Sequence, residues 1–388
     1  MNNQKILVLN TKYRVFGGED ANIVDELNFL KKFYQVDYLE FNNSDKITFS
    51  DLIGFITLSN PMSNRKLKSK IKSFNPDIVY IHNTWFKAGL GIYKLLRKEN
   101  ITTIQKIHNY RFECSSFFLS KNHLRNQNQC PACGLKKVSL GVYNKYFKES
   151  FLKSIFVNFY SKKYFKILKT YPIKIAVLSK FQKNYIENLG IKNTKISIFP
   201  NPIEISQKEI LNYDSDSTRV IFAGRLVETK GVEEILKIWS SIDTKNLILE
   251  IIGSSSDQKN LFKKYNSKKI IFTGELNNMD VKRKIKTSRA VITATKLYEG
   301  QPTLLTEASL MAVPSIFPDN GGIKEFFPDN YIFSYSQTEQ NDLVDKLKLI
   351  ETNQDLLERT GYECKKFIED KLSKERILNV YDKIIENS

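Results

Sequence analysis

Ala290-Val-Ile-Thr-Ala-Thr295, Glu299-Gly-Gln-Pro-Thr-Leu-Leu-Thr-Glu307 and Ala312-Val-Pro-Ser-Ile-Phe317 follow one another with only short connections. The outer two are apolar runs of strand length. The middle one carries a Gly and a Pro ahead of an amphipathic segment running through Met311. Strand, loop, helix and strand in that order make a βαβ unit of parallel strands, and open sheets of this kind bind ligands at the C-terminal ends of their strands. Gly300 and Pro302 mark the loop that opens the helix, so the free backbone N–H groups over residues 301 to 304 (Gln301 to Leu304) are expected to face a diphosphate. Glu307 lies about a turn and a half further along. A carboxylate there can accept hydrogen bonds from two adjacent ribose hydroxyls, whereas Glu299, on the loop, is free to point at a sugar.

The same alternation runs through the chain. Ile6-Leu-Val-Leu9 reads as a first strand, followed by Gly17-Gly18 and a helical pattern from Ala21 to Lys32. The three-glycine dinucleotide spacing is missing, so the pair marks either a turn or the close approach of a phosphate. Further strands are expected at Ile78 to His82, Thr103 to His108, Ile173 to Leu178 and Ile196 to Phe199. Pro200-Asn-Pro202 and a polar stretch from Glu204 to Thr218 then form a hinge. After Val220-Ile-Phe-Ala-Gly224, strands recur near Leu247 to Ile252, Ile270 to Phe272, Ala290 to Thr295 and Ser315 to Phe317. Two α/β domains follow, 1–200 and 203–372, with an amphipathic helix in 373–388 crossing back toward the first.

Composition sets the partners. The 388 residues carry a formal charge of +18, and residues 1 to 180 hold 30 Lys+Arg against 12 Asp+Glu, whereas the remainder holds 30 against 30. A basic half implies an anionic partner. Residues 136 to 169 contain nine lysines and one glutamate, interleaved with Tyr and Phe, a composition that docks on anionic membranes. No nucleic-acid-binding motif accompanies the charge. The short apolar run at the N-terminus is no signal peptide, and no stretch approaches bilayer-spanning length. The expected location is therefore the cytoplasm, peripheral to the inner face of the plasma membrane.

The Glu299/Glu307 pair, Phe222-Ala-Gly-Arg-Leu-Val-Glu-Thr-Lys-Gly231, Phe199-Pro-Asn-Pro202 and Gly321-Gly322 resemble, in this order, the retaining GT-B glycosyltransferases of family 4. The likeness is to those that build bacterial surface polysaccharide and lipopolysaccharide. It implies a GT-B fold, two doubly wound Rossmann-like domains facing across a cleft, and hexosyl transfer from a nucleotide sugar (UDP, GDP or dTDP) without a metal. It also implies that Arg225 and Lys230 hold the donor diphosphate and that His108, in Ile107-His-Asn-Tyr-Arg-Phe-Glu-Cys114, contacts the transferred sugar. His82 and Asn109 are the acceptor-side candidates, and Gly17 and Gly18 lie on the phosphate side. The implied acceptor is a saccharide on a polyprenyl-diphosphate lipid. The alternative readings are a non-catalytic sugar-nucleotide-binding or anionic-surface-binding protein and a sugar-nucleotide epimerase of the same fold.

Cys114 with the C-x2-C pair Cys130 and Cys133 would supply three thiolates to a structural zinc. The position where related transferases show a fourth Cys holds Val142, which leaves His123 as the remaining ligand, and reduced, unliganded thiols are the expectation. Asp214-Ser-Asp216 is read as linker, not as a metal-binding acid pair.

Overall fold

The computed structural model describes residues 4–13, 18–110, 118–119, 143–144, 151–203, 216–255, 258–339 and 341–386. Two compact units emerge. Among the described residues, those up to Ile203 together with Lys374–Glu386 form the first, and those from Asp216 to Ser373 form the second.

The first unit opens with β1 (Lys5–Lys12), α1 (Gly18–Lys31), β2 (Gln35–Asn42), α2 (Phe49–Thr57), α3 (Pro61–Phe74), β3 (Ile78–Ile81), α4 (Gly91–Lys98) and β4 (Thr102–Ile107). A two-residue antiparallel pair, β5 (Phe118–Leu119) with β6 (Tyr143–Asn144), is followed by α5 (Phe151–Thr170), β7 (Ile173–Val177), α6 (Lys180–Asn188) and β8 (Ile196–Ile198). Six strands form one parallel sheet in the order β2-β1-β3-β4-β7-β8. Its central strands are continuous apolar runs because helices cover both faces. Ile78 to Ile81 are all buried. The edge strand β2 was not legible from its pattern: it is mostly half-buried, and its carboxylates are satisfied by Lys70 on Asp37 at 2.6 Å and Lys12 on Glu40 at 2.9 Å.

The second unit repeats the plan with β9 (Arg219–Ala223), α7 (Val232–Ser241), β10 (Ile248–Ile252), α8 (Gln258–Tyr265), β11 (Ile270–Gly274), α9 (Asn278–Lys286) and β12 (Ala290–Ile292). It continues with α10 (Thr303–Leu310), β13 (Ser315–Pro318), β14 (Ser334–Tyr335), α11 (Asp342–Thr352) and α12 (Gln354–Lys371). Its parallel sheet has the order β11-β10-β9-β12-β13-β14, with a core that includes Trp239, Phe222 and Phe317. The quoted βαβ unit is β12, α10 and β13. Both flanking strands are shorter than the apolar runs, because Thr293 to Thr295 and Ala312 to Pro314 already belong to the connections.

The last helix, α13 (Lys374–Glu386), packs on the first unit. Tyr34 donates to Asp382 at 2.7 Å, Lys174 donates to the carbonyl of Ile384 at 2.8 Å, and the Tyr381 ring meets Phe199 edge-on at 3.9 Å between centroids.

Candidate functional site

In the second unit three loops converge at the C-terminal edge of the sheet. After β9 the chain passes Gly224 and the exposed Arg225, then turns through Glu228–Lys230 into Gly231, whose φ is +68°. A Cβ on Gly231 would lie 2.0 Å from the carbonyl oxygen of Ala294. Glycine is thus required both by conformation and by contact, and it brings Lys230 against the loop that leaves β12. Lys296 N–H donates to the carbonyl of Thr229 at 2.9 Å, which ties the two loops together. The third loop follows β13. Gly321, with φ +60°, approaches Tyr298 and Glu299, and Gly322 N–H donates to the carbonyl of Glu299 at 2.9 Å.

Lys230 and Glu299, which the sequence reading assigns separately to a diphosphate and a sugar, form an ion pair. Lys230 Nζ lies 2.5 Å from Glu299 Oε1, and Thr295 Oγ1 donates to the same oxygen at 3.2 Å. Both side chains remain more than a quarter exposed, so the pair is open to exchange with an arriving anion. Arg225 makes no ion pair among the described residues. Glu307, buried on α10, receives Lys282 of α9 at 3.1 Å. Lys282 had no distinguishing signal, being one of four cations in the nine residues of its helix. Asn320 and Gln337, also unread, brace the end of β12 by donating to the carbonyl of Thr295 at 3.2 and 3.0 Å.

The expected row of free N–H groups at the start of α10 needs correction. Pro302, the N-cap residue, has no N–H, and Thr303 donates its own to the carbonyl of Gln301 at 3.0 Å. Pro302, at φ −82° and ψ 79°, centres an inverse γ-turn that takes up the Thr303 N–H, and the anion cradle expected over residues 301 to 304 is narrower than four donors.

In the first unit the two histidines meet. His82 follows β3 and His108 follows β4. Their rings stack at 5.3 Å between centroids, with His82 Nδ1 3.0 Å from His108 Nε2. Beneath them lies a polar network that the sequence reading missed. Glu26 of α1 and Lys106 of β4, both fully buried, pair at 2.8 and 2.9 Å. Tyr80 donates to Glu26 at 2.7 Å, Tyr381 of α13 donates to the same oxygen, and Lys106 sits 4.5 Å over the Phe199 ring. The ion pair is thus hydrogen-bonded on several sides, the condition under which a buried charge is tolerated.

Burial, with the Lys106 cation second, holds His82 well below the usual histidine range. His108 is depressed likewise, by burial first and then by His82 and Lys106. Both rings are therefore neutral near neutral pH, so one nitrogen of the 3.0 Å contact donates and the other accepts. His82 Nε2 lies 3.9 Å from Glu26 Oε2, and a small cavity of about 30 Å³ beside the rings is lined by Thr84, Lys106, Asn109 and Tyr160 as well as both histidines. That is room for a water molecule or two.

Gly18 begins α1, and an added Cβ would meet nothing within 4 Å. Gly17, His123, Cys114, Cys130, Cys133 and Asp214 lie outside the described residues, as does most of 136–150 in the basic-aromatic stretch. Asp216 is exposed and accepts from Gln354 at 2.9 Å. Among the described residues no group of three His, Cys, Asp or Glu side chains is placed to hold a metal, and no helix is long and apolar enough to cross a membrane.

Residues 204–367 match the family Glycosyl transferases group 1. The chain is 27% identical over 175 residues to the amylovoran biosynthesis glycosyltransferase AmsD of Erwinia amylovora, covering 43% of this chain and 49% of that one. The chain thus spans about half the length of that relative. Among solved structures it is similar to sucrose-phosphate synthase from Thermosynechococcus elongatus, at 13% identity, a TM-score of 0.71 and 100% coverage of both chains. Anabaena HepE in complex with UDP and glucose is similar at 13% identity and a TM-score of 0.70, again over 100% of both chains. These likenesses identify the fold as GT-B, with two Rossmann-like domains of parallel strands.

Proposed function

We propose that this chain is a retaining, metal-independent glycosyltransferase that moves a hexosyl group from a nucleotide-sugar donor to a saccharide acceptor. The observation that carries the reading is the Lys230–Glu299 pair on converging loops at the edge of the second sheet, with the exposed Arg225 on the loop that leads to Lys230 and Glu307 on the helix that follows. In this reading Arg225 and Lys230 neutralise the diphosphate as it leaves. Arrival of the donor exchanges the Lys230–Glu299 pair for phosphate on the cation and a sugar hydroxyl on the carboxylate. Gly300, Gln301, Pro302, Thr303 and Leu304 form the wall beside the diphosphate, and Glu307, neutralised by Lys282 in the absence of donor, accepts from the ribose.

His108 serves the transferred sugar as a neutral hydrogen-bonding group, with His82 and Asn109 toward the acceptor. HepE structures hold UDP and UDP-glucose, which supports UDP as the first donor to try. The name of AmsD supports assembly of a surface polysaccharide. The acceptor is then a saccharide on a polyprenyl-diphosphate lipid, met by a peripheral enzyme at the inner face of the plasma membrane.

The test is thermal stabilisation by UDP-, GDP-, dTDP- and CMP-sugars, since a ligand at 100 times its Kd adds about 2.7 kcal/mol. One nucleotide class is expected to raise Tm, and Lys230→Ala and Glu307→Ala to abolish the rise. Lys230→Ala is further expected to lower turnover by about two to three decades, the effect of removing a preorganised charge from the leaving group. No shift with any donor, or full turnover by the Lys230 variant, overturns the reading.

A further inference from the structure

Helix α2 is built inside out. Its one buried residue is Asp51, whereas Phe49, Leu52 and Ile56 are 77, 54 and 78% exposed. The inward face is polar and saturated: Asp51 caps Thr48 N–H at 2.8 Å, accepts from Asn60 at 2.8 Å and meets the buried Lys87 at 3.4 Å. Burial alone would raise this carboxyl, but the Thr48 hydrogen bonds, the Lys87 cation and Asn60 together hold it below the usual range. The helix is therefore anchored through its carboxylate and presents its apolar stripe outward at i, i+3 and i+7.

Helix α5 continues the same surface. Leu152, Ile155 and Phe159, again at i, i+3 and i+7, are 78, 42 and 56% exposed, and Phe156 beside them stacks on Phe55 of α2 at 3.6 Å between centroids. The stack joins the two stripes. Lone exposed apolar residues are ordinary, but a joined patch on two helices marks an interaction surface.

The border of the patch is cationic. Apart from the exposed Asp45 next to Lys46, the sole carboxylate between residues 45 and 76 is the buried Asp51, and Lys46, Arg65, Lys66 and Lys68 are exposed; between 151 and 170 there is no carboxylate, and Lys162, Lys163 and Lys166 are exposed. Protein interfaces favour Tyr, Trp and Arg and are depleted in Lys, the opposite of this border. Phenylalanine and aliphatic tips ringed by flexible lysines fit an anionic bilayer, where the tips enter the acyl boundary and the ammonium groups stay among the headgroups.

We infer that α2 and α5 together form the docking face of this chain for an anionic lipid bilayer. The partner was proposed above to bring the enzyme to a lipid-borne acceptor, and the inference rests on that reading only for its purpose. The surface itself extends to α2 and α3, which carry no signal in the basic-aromatic stretch of 136–169.

The experiment is co-sedimentation of the full chain with vesicles of phosphatidylcholine alone or of equimolar phosphatidylcholine and phosphatidylglycerol, without donor or acceptor. Failure here leaves the transfer reading standing, and failure of the donor screen leaves this one standing. Binding is expected on the anionic vesicles and to weaken with salt. Phe49→Ser with Ile56→Ser is expected to lower the partition at least about tenfold with Tm unchanged, and Lys66→Gln or Lys163→Gln to lower it by about fivefold for each charge removed. Phe49→Trp is expected to show blue-shifted fluorescence when anionic vesicles are added. The inference is overturned if the double serine variant binds as wild type or if it loses stability because the chain itself covers the face. It is equally overturned if the protein is a dimer that this variant dissociates, which would assign the face to a second copy.

Discussion

At the edge of the first sheet, Glu26, Lys106, Tyr80 and Tyr381 close on one another out of water, whereas at the matching edge of the second sheet Lys230 and Glu299 pair with 29 and 27% of their side chains exposed. The two units share a sheet plan and both gather charged residues near the C-terminal edge of the sheet, yet the charges do different work. In the first unit they are consumed in holding α1, β3, β4 and α13 to each other and in setting the environment of two neutral histidines. In the second they are held loosely, by partners that an anion can replace. A charged residue near a sheet edge is therefore not by itself a ligand site; what separates the two cases is whether water still reaches it.

The largest effect that tests this contrast is on stability. Glu26→Gln leaves Lys106 buried without its counter-ion and is expected to cost about 3–5 kcal/mol in urea denaturation, and Glu26→Gln with Lys106→Met to recover part of it. Lys230→Ala is expected to change stability by less than about 1 kcal/mol. Equal costs at both edges would break the comparison.

A smaller effect sharpens it through pH. The folded pKa of His82 and of His108 lies below 6.5, the ordinary value. As pH falls below that value the unfolded chain takes up protons first, so stability falls, by up to about 1.4 kcal/mol per pH unit for each histidine, and it is restored above neutrality. A His82→Gln, His108→Asn variant is expected to lack this slope between pH 5 and 7, as read by denaturation at each pH. Two depressed carboxylates act in a separate window, Asp51 and the buried Glu250 of β10, which Arg219 and Lys284 each meet at 2.7 Å: their contribution is present above the unfolded carboxylate pKa and lost as pH falls through their lower folded values. A wild-type profile flat through the histidine range would mean that the rings are solvated.

The smallest expected effect concerns Gly18. With no atom within 4 Å of a Cβ and with helical backbone, Gly18→Ala is expected to leave the fold unharmed or to stabilise it by about 0.4–1 kcal/mol. If a phosphate approaches this backbone as the sequence reading holds, the same variant weakens donor binding in the thermal-shift assay. Unchanged donor binding would leave Gly18 as a plain helix start.

The parallel sheets were legible because a strand buried on both faces is a continuous apolar run, as in Ile78 to Ile81 and Val220 to Phe222. The edge strand β2 was not, because half-buried residues with paired carboxylates carry no such run. Strand ends were read too long at His82, His108 and Thr295, since apolarity persists past the last ladder bond into the connection. Those overrun residues are the ones that reach the sheet edge.

Local periodicity and turn residues such as Gly300 and Pro302 are enough to set the alternation of strand and helix, the two-domain plan and the residue types that follow each strand. Which charges meet depends instead on how distant segments pack. The pairs Lys230–Glu299, Lys282–Glu307, Glu26–Lys106 and Tyr381–Glu26 join residues from different elements, the last 355 positions apart. The same holds for the outward face of α2, whose apolar stripe read alone would be assigned to the core; its orientation is set by Asp51 reaching Lys87 and Asn60 across the fold. A pattern along one segment fixes its periodicity, but which side faces water depends on partners that the segment does not contain.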